Sequence, residues 1–197
     1  MEYRASLVSK PIWYLETKKT AQYLSQGYDK ESLRKRVIED NLYETRADYR
    51  AIEILTTITT RLNKLPKELL LEIASGDVLQ SKILVLISIM MNDKLFFEFM
   101  YDVFQDKIAI GEYIITNRDL EKFFENKALQ SDAVKNWSAK TIQKLKQSYM
   151  KILYDANIIS SSLPPRNIIV PIIHENIVDI LKKNNMDAYL RAIRGDS

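Results

Sequence analysis

The stretch from Trp137 to Ile173, WSAKTIQKLKQSYMKILYDANIISSSLPPRNIIVPII, constrains the fold of this chain more than any other. Ile142, Leu145, Tyr149, Ile152, Leu153 and Ala156 recur at helical spacing and define one apolar face. Ser138 stands at the N-cap position, its side-chain oxygen placed to accept from a first-turn backbone N–H. At about 100° per residue, Lys140, Lys144, Gln147 and Lys151 fall on the opposite side, with Lys146 on the flank. No Asp or Glu occurs between Ala133 and Tyr154. Beyond the helix, Asn157-Ile158-Ile159 and Asn167-Ile168-Ile169-Val170 read as two strands of a hairpin with Arg166 near its tip. A cationic helix followed by a hairpin is the plan of a winged helix-turn-helix, with the helix in the DNA major groove and the hairpin against the backbone. The same pattern also describes a solvated surface helix and a hairpin that closes a core.

Upstream, Ile83–Met91 is the longest apolar run, nine residues bounded by Lys82 and by Asn92-Asp93-Lys94. A membrane span needs about twenty, so this run is expected as the buried centre of a helical bundle. Next to it, Leu95, Phe96, Phe99, Met100, Val103 and Phe104 form a wide stripe, read as core. Glu112-Tyr113-Ile114-Ile115 is short and β-prone, and Thr116 or Asn117 then caps RDLEKFFENKA. From Phe96 onward the order is helix, short strand, helix, turn, helix, strand, strand, which is the winged-helix order. Two further helices close the chain, at about Glu175–Lys183 and Asp187–Ile193.

Toward the N-terminus, residues 1–10 read as an extended lead-in and Pro11 as an early helical position. The first helix runs to about Gln26, with Ile12, Leu15, Thr20, Tyr23 and Leu24 inward. Gly27 suits the left-handed conformation that stops a helix, and Asp29 caps ESLRKRVIED, which leaves Lys30, Arg34 and Lys35 to solvent. Helix, glycine turn and cationic helix form a second helix-turn-helix-like pair, a pattern shared by any αα-hairpin. A helix from Thr45 or Arg46 to about Asn63 is expected to bury Tyr49, Ile52, Leu55, Thr56, Ile58 and Leu62, and a short helix follows Pro66. The fold class is therefore all-α. A helical bundle with the helix-turn-helix-like pair covers residues 1–92, and a winged-helix-like unit with a small β-hairpin covers 93–197. The two are closely packed or form one compact domain.

Charge is unevenly distributed. The net charge of +3 divides into +4 over residues 1–36, −5 over 37–130 and +4 over 131–197. Basic ends around an acidic middle suit a polyanionic or acidic partner. The opening MEYRASLVSK is too polar for a secretory segment. With no cysteine, thiolate metal sites and Cys nucleophiles are excluded. His174 has no second histidine with which to share a metal. Four glycines supply no phosphate-cradling loop. Glu39-Asp40 and Asp102/Asp106 read as solvated helix carboxylates rather than a nuclease pair. Neither an enzyme nor a cofactor, metal or small-molecule substrate is expected, which leaves binding.

Four segments carry a family resemblance: YRASLVSKPIWYLETKKTAQYLSQGYDKESLRKRVIEDNLYE, LNKLPKELLLEIASGD, NWSAKTIQKLKQSYMKILYDANII and MDAYLRAIRG. Together, and in order, they resemble the BrxA family of the bacterial BREX phage-defence systems. The resemblance implies a small, largely helical protein encoded with a methyltransferase, a phosphatase-like protein and ATPases, and it implies duplex-DNA binding. Members are sometimes labelled inner-membrane proteins, a label with no spanning segment to support it here. The resemblance supplies no catalytic residues. The expected DNA contacts rest on helix geometry: Lys140, Lys144, Lys151, Arg166, Arg34 and Lys35 toward phosphates, and Gln143 or Gln147 near base edges. Lysine-rich contact favours backbone neutralisation over base readout. The alternative is a protein–protein adaptor whose basic ends dock on acidic partners among the other BREX proteins. A cytoplasmic location is expected, with no membrane partner.

Overall fold

Helix boundaries follow the local capping signals closely in the computed structural model, which describes residues 2–195. Gly27, at φ 90°, separates α1 (Tyr14–Ser25) from α2 (Lys30–Glu39), and the Asp29 side chain accepts from the Ser32 amide at 2.8 Å. Pro66 stands at the N-cap of α4 (Lys67–Ser75), which follows α3 (Asp48–Leu62). A Cβ on Gly76 would meet the Glu72 carbonyl oxygen at 2.5 Å, so the stop after α4 requires glycine. Asp77 then accepts from the first-turn amides of α5 (Val78–Asn92). The chain forms two compact units whose boundary falls within α5.

The first unit comprises residues 13–88. Here α1 packs on α3 and α4, and α2 packs on α3. Two expectations are corrected in this unit. Helix α1 starts at Tyr14 rather than near Pro11 because Trp13 is left-handed, at φ 47°, with the Arg50 and Arg61 guanidiniums 5.3 and 5.5 Å from its ring centroid. From that start Thr17, Thr20 and Ala21 face inward, which leaves Leu15 68% exposed. In α3 the buried apolar series is Ala51, Ile54, Leu55, Ile58 and Leu62. These positions keep helical spacing among themselves and turn Tyr49 and Thr56 outward.

The second unit takes the residues up to Ile12 and those from Ile89 onward. Its first helical stretch is α6 (Lys94–Phe99), a π-helical segment (Met100–Gln105) and α7 (Asp106–Ala109) without a break. Then come β1 (Ile114–Ile115), α8 (Asn117–Gln130), α9 (Asp132–Lys135), α10 (Ala139–Asp155), β2 (Arg166–Asn167), α11 (Glu175–Lys183) and α12 (Asp187–Arg194). Thr116 and Asp119 form a reciprocal capping box at α8.

The β pairing differs from a simple 157–170 hairpin. β1 runs antiparallel to β2, with Ile114 opposite Asn167 and Ile115 opposite Arg166. Between the two expected hairpin arms the regular pairing is a single bridge, Ile159 to Ile168. Ser160 N–H donates to Asn167 O and Ile169 N–H to Ile158 O, each at 2.9 Å, and Ile168 N–H donates to Tyr113 O at 2.8 Å. The second arm is thus central, between the 113–115 stretch and the 158–160 stretch. Burial explains the choice: Ile115, Ile158, Ile159 and Ile168 are all buried, and only a central position for 166–169 satisfies its backbone from both sides. The fold remains all-α with one small antiparallel element.

Ile83–Met90 of α5 is buried throughout, as its apolarity requires. Among the described residues no helix is long and apolar enough to cross a membrane.

Candidate nucleic-acid interface

Helix α10 begins with Ser138, whose Oγ accepts from the Thr141 amide at 3.1 Å. Its inner face buries Leu145, Tyr149, Met150, Ile152 and Leu153. The Tyr149 ring lies 4.9, 5.2 and 5.8 Å from the centroids of Phe96, Phe99 and Phe124, and Phe99 packs edge-on to Phe123 at 5.3 Å. Such pairs contribute about 0.5–1.5 kcal/mol each beyond area burial. They lock the rotation of α10 against α6 and α8, and this fixes what its other face presents.

That other face carries Lys140, Gln143, Lys144, Gln147 and Lys151, all exposed. Among the described residues Lys140 and Lys144 form no ion pair, whereas Lys151 Nζ lies 2.6 Å from Asp155 Oδ1 and 5.4 Å from the Tyr154 ring centroid. An exposed i,i+4 pair of this kind is weak and exchanges readily for another anion.

Arg166 is placed differently from the expectation. It is 6% exposed; its Nε donates to Ser162 O at 3.1 Å and its Nη1 to Asn117 Oδ1 at 2.9 Å. Burial pushes its guanidinium pKa down from the usual arginine range. Arg166 shares the inward face of the strand with Ile115 and ties the Ser160–Pro165 loop to the start of α8, so it is not a free tip residue. Arg34 and Lys35 belong to the first unit and are exposed on α2. Their surroundings are of mixed sign: Lys30, Glu31, Arg34, Lys35, Ile38 and Glu39 line one shallow surface, and Arg36 pairs with Asp40 at 2.8 Å.

The structure adds residues that helical periodicity could not point to. Ser9, Lys10 and Pro11 of the lead-in line a groove of about 310 Å³ together with Lys144, Gln147, Ser148 and Lys151 of α10. Lys10 contributes to the N-terminal positive charge, but an irregular segment has no periodic face from which to place it.

Comparison with known proteins gives a consistent picture. A family model described as BrxA matches residues 1–185. The BREX protein BrxA of Bacillus cereus (strain H3081.97) is 34% identical over 194 residues, covering 98% of this chain and 97% of that protein. A crystal structure of an uncharacterized protein from Magnetospirillum magneticum superposes with a TM-score of 0.85 at 18% identity, covering the whole of both chains. At that identity the likeness concerns the fold alone.

Proposed function

Since the chain belongs to the BrxA family, we propose that it is a non-enzymatic component of a bacterial BREX phage-defence system that binds duplex DNA largely without regard to sequence. The observation that carries this reading is the outer face of α10, where Lys140, Lys144 and Lys151 alternate with Gln143 and Gln147 on a helix whose other side is locked into the core. The winged-helix reading is supported by the order α8, α9, α10, β2 and by the central place of 166–169 beside 114–115 and 158–160. In this reading α10 lies along the major groove, lysines meet phosphates, and the glutamines face base edges. Arg166 supports the strand from inside, and Arg34 and Lys35 are a secondary contact. The protein acts in the cytoplasm alongside other BREX proteins.

A fluorescence-anisotropy titration with random-sequence duplex at two salt concentrations tests the reading. Binding should weaken steeply with salt, in proportion to the phosphates neutralised, and differ little between duplex sequences. Salt-independent binding, or none, would sink it. A protein–protein adaptor is the second reading, favoured by the exposed apolar side chains Tyr113, Ile114, Ile169, Val170 and Ile172 around the strands. Failure to bind duplex, with retained capture of another BREX protein, would select it.

A further inference from the structure

The lead-in is built into the second unit. Tyr3 Oη donates to Glu98 Oε2 at 2.7 Å, and Lys94 Nζ lies 4.7 Å from the Tyr3 ring centroid. Ser6 Oγ donates to the buried Asp93 carboxylate. Leu7 and Ile12 are buried, and Lys10 N–H donates to Leu7 O at 3.2 Å. Ser9, between these anchors, is left-handed at φ 59°. The three residues that wall the groove are therefore held on both sides rather than trailing from a loose end.

We propose that this groove is a phosphate-binding subsite that clamps one phosphodiester of the duplex backbone. Lys10 reaches it from the lead-in, and Lys144 and Lys151 reach it from α10. This rests on the DNA-binding reading of α10 and adds a second, independent chain segment to it. The chemistry of the lining carries the inference. Lys10, Lys144 and Lys151 line one concavity with Ser9, Gln147 and Ser148, and no carboxylate lines it among the described residues, although Lys151 also pairs with the exchangeable Asp155 beside it. Lysine acts as a compact point charge suited to a phosphate oxygen, and serine hydroxyls are donors of the kind such an oxygen accepts from.

Lys10→Gln and Lys10→Arg in the full chain test the subsite, each measured by an anisotropy salt series on random-sequence duplex and by a thermal melt. Lys10→Gln should make the slope of log K against log salt shallower by about 0.9, the loss of one phosphate contact. Lys10→Arg should restore the slope, and all slopes are compared well below the melt of each variant. An unchanged slope in Lys10→Gln, with a shallower one in Lys144→Gln, removes the lead-in from the interface while leaving the reading of α10 intact. If the wild-type protein binds no duplex, the DNA reading falls separately, and inorganic pyrophosphate decides the groove. Amide NMR shifts at Ser9, Lys10 and Ser148 that vanish in Lys10→Gln would support a phosphate site supplied by free phosphate. Absence of those shifts overturns it.

Discussion

Lysines serve two opposite purposes in the second unit. On α10, Lys140 and Lys144 are exposed and form no ion pair among the described residues. In the cleft between the π-helical segment and α8, Lys127 is 6% exposed, with its Nζ 2.5 Å from Glu98 Oε2, 2.9 Å from Asp102 Oδ2 and 5.4 Å from the Phe123 ring centroid. Lys107 nearby is 8% exposed and bridges Glu112 at 3.0 Å and Asp119 at 3.2 Å. Burial alone would lower both lysine pKa values, but hydrogen bonds and charge from two carboxylates each outweigh it and raise them. One group of charges is thus neutralised within the fold, and the other faces solvent. A count of lysines cannot separate these uses; the distribution of acids around them does.

The largest expected effect breaks the external side of the comparison. Lys140→Ala, Lys144→Ala and Lys151→Ala combined should make the salt slope for duplex shallower by about 2.7, at roughly 0.9 per contact. Stability should change by no more than about 0.5 kcal/mol for each exposed site. An unaltered slope in anisotropy would move the interface off α10, with Arg34 and Lys35 next to be substituted.

Lys127→Ala should do the reverse. It removes the cation that Glu98 and Asp102 share and should destabilise by about 3 kcal/mol, near the lower end for a broken buried pair because Lys94 still lies 3.6 Å from Glu98 and Asp102 still reaches solvent. Its salt slope, measured well below the melt, should match wild type. A lost slope in Lys127→Ala would show the cleft contributing to DNA contact.

A smaller effect is set by pH. Desolvation raises the Glu98 pKa, yet hydrogen bonds from Lys127 and Tyr3 together with the Lys127 charge bring it below the ordinary value of 4.5. A depressed folded-state pKa means this stabilisation is complete above the unfolded value and is lost as pH falls through the folded one. The melting difference between wild type and Lys127→Ala should therefore be constant at neutral pH and narrow in acid below about 4.5. A difference that widened in acid would contradict the pairing.

The smallest effect concerns the third case, a polar group buried without a partner. The Tyr149 hydroxyl lies in the aromatic cluster with no hydrogen-bond partner among the described residues, and burial holds its pKa well above the usual tyrosine value. Tyr149→Phe should leave stability unchanged or raise it by up to about 1 kcal/mol. A clear loss in calorimetry would reveal a partner for that hydroxyl.

What the sequence made legible was local. Asp29, Thr116 and Ser138 cap the helices expected of them because a cap involves only the next three residues. The apolar face of α10 and its lysine side follow from helical geometry once the cap is placed. What stayed hidden depends on distant partners. The pairing of Ile114–Ile115 with Arg166–Asn167 spans some fifty positions, and the Arg166 contact with Asn117 spans 49. With two β-branched runs adjacent in sequence, the hairpin was the nearest pairing to infer. Leu15 and Tyr49 were misplaced because their helices are amphipathic at more than one phase, and neighbouring helices decide between phases. Lys10 had no periodicity around it at all.

The π-helical segment also bears on how relatives of this chain are to be aligned. A π turn closes its hydrogen bond one residue later than an α turn and so holds one residue more within the same helix. Everything after Gln105 is therefore rotated by about 100° relative to an uninterrupted α-helix. Lys107, just beyond the segment, reaches Asp119 at the start of α8, and Glu112 follows it through a backbone hydrogen bond to the Lys107 carbonyl. A relative one residue shorter between Met100 and Gln105 would turn its lysine away from Asp119. A single-codon deletion here would act at a distance of several residues, parting Lys107 from Asp119 without replacing either.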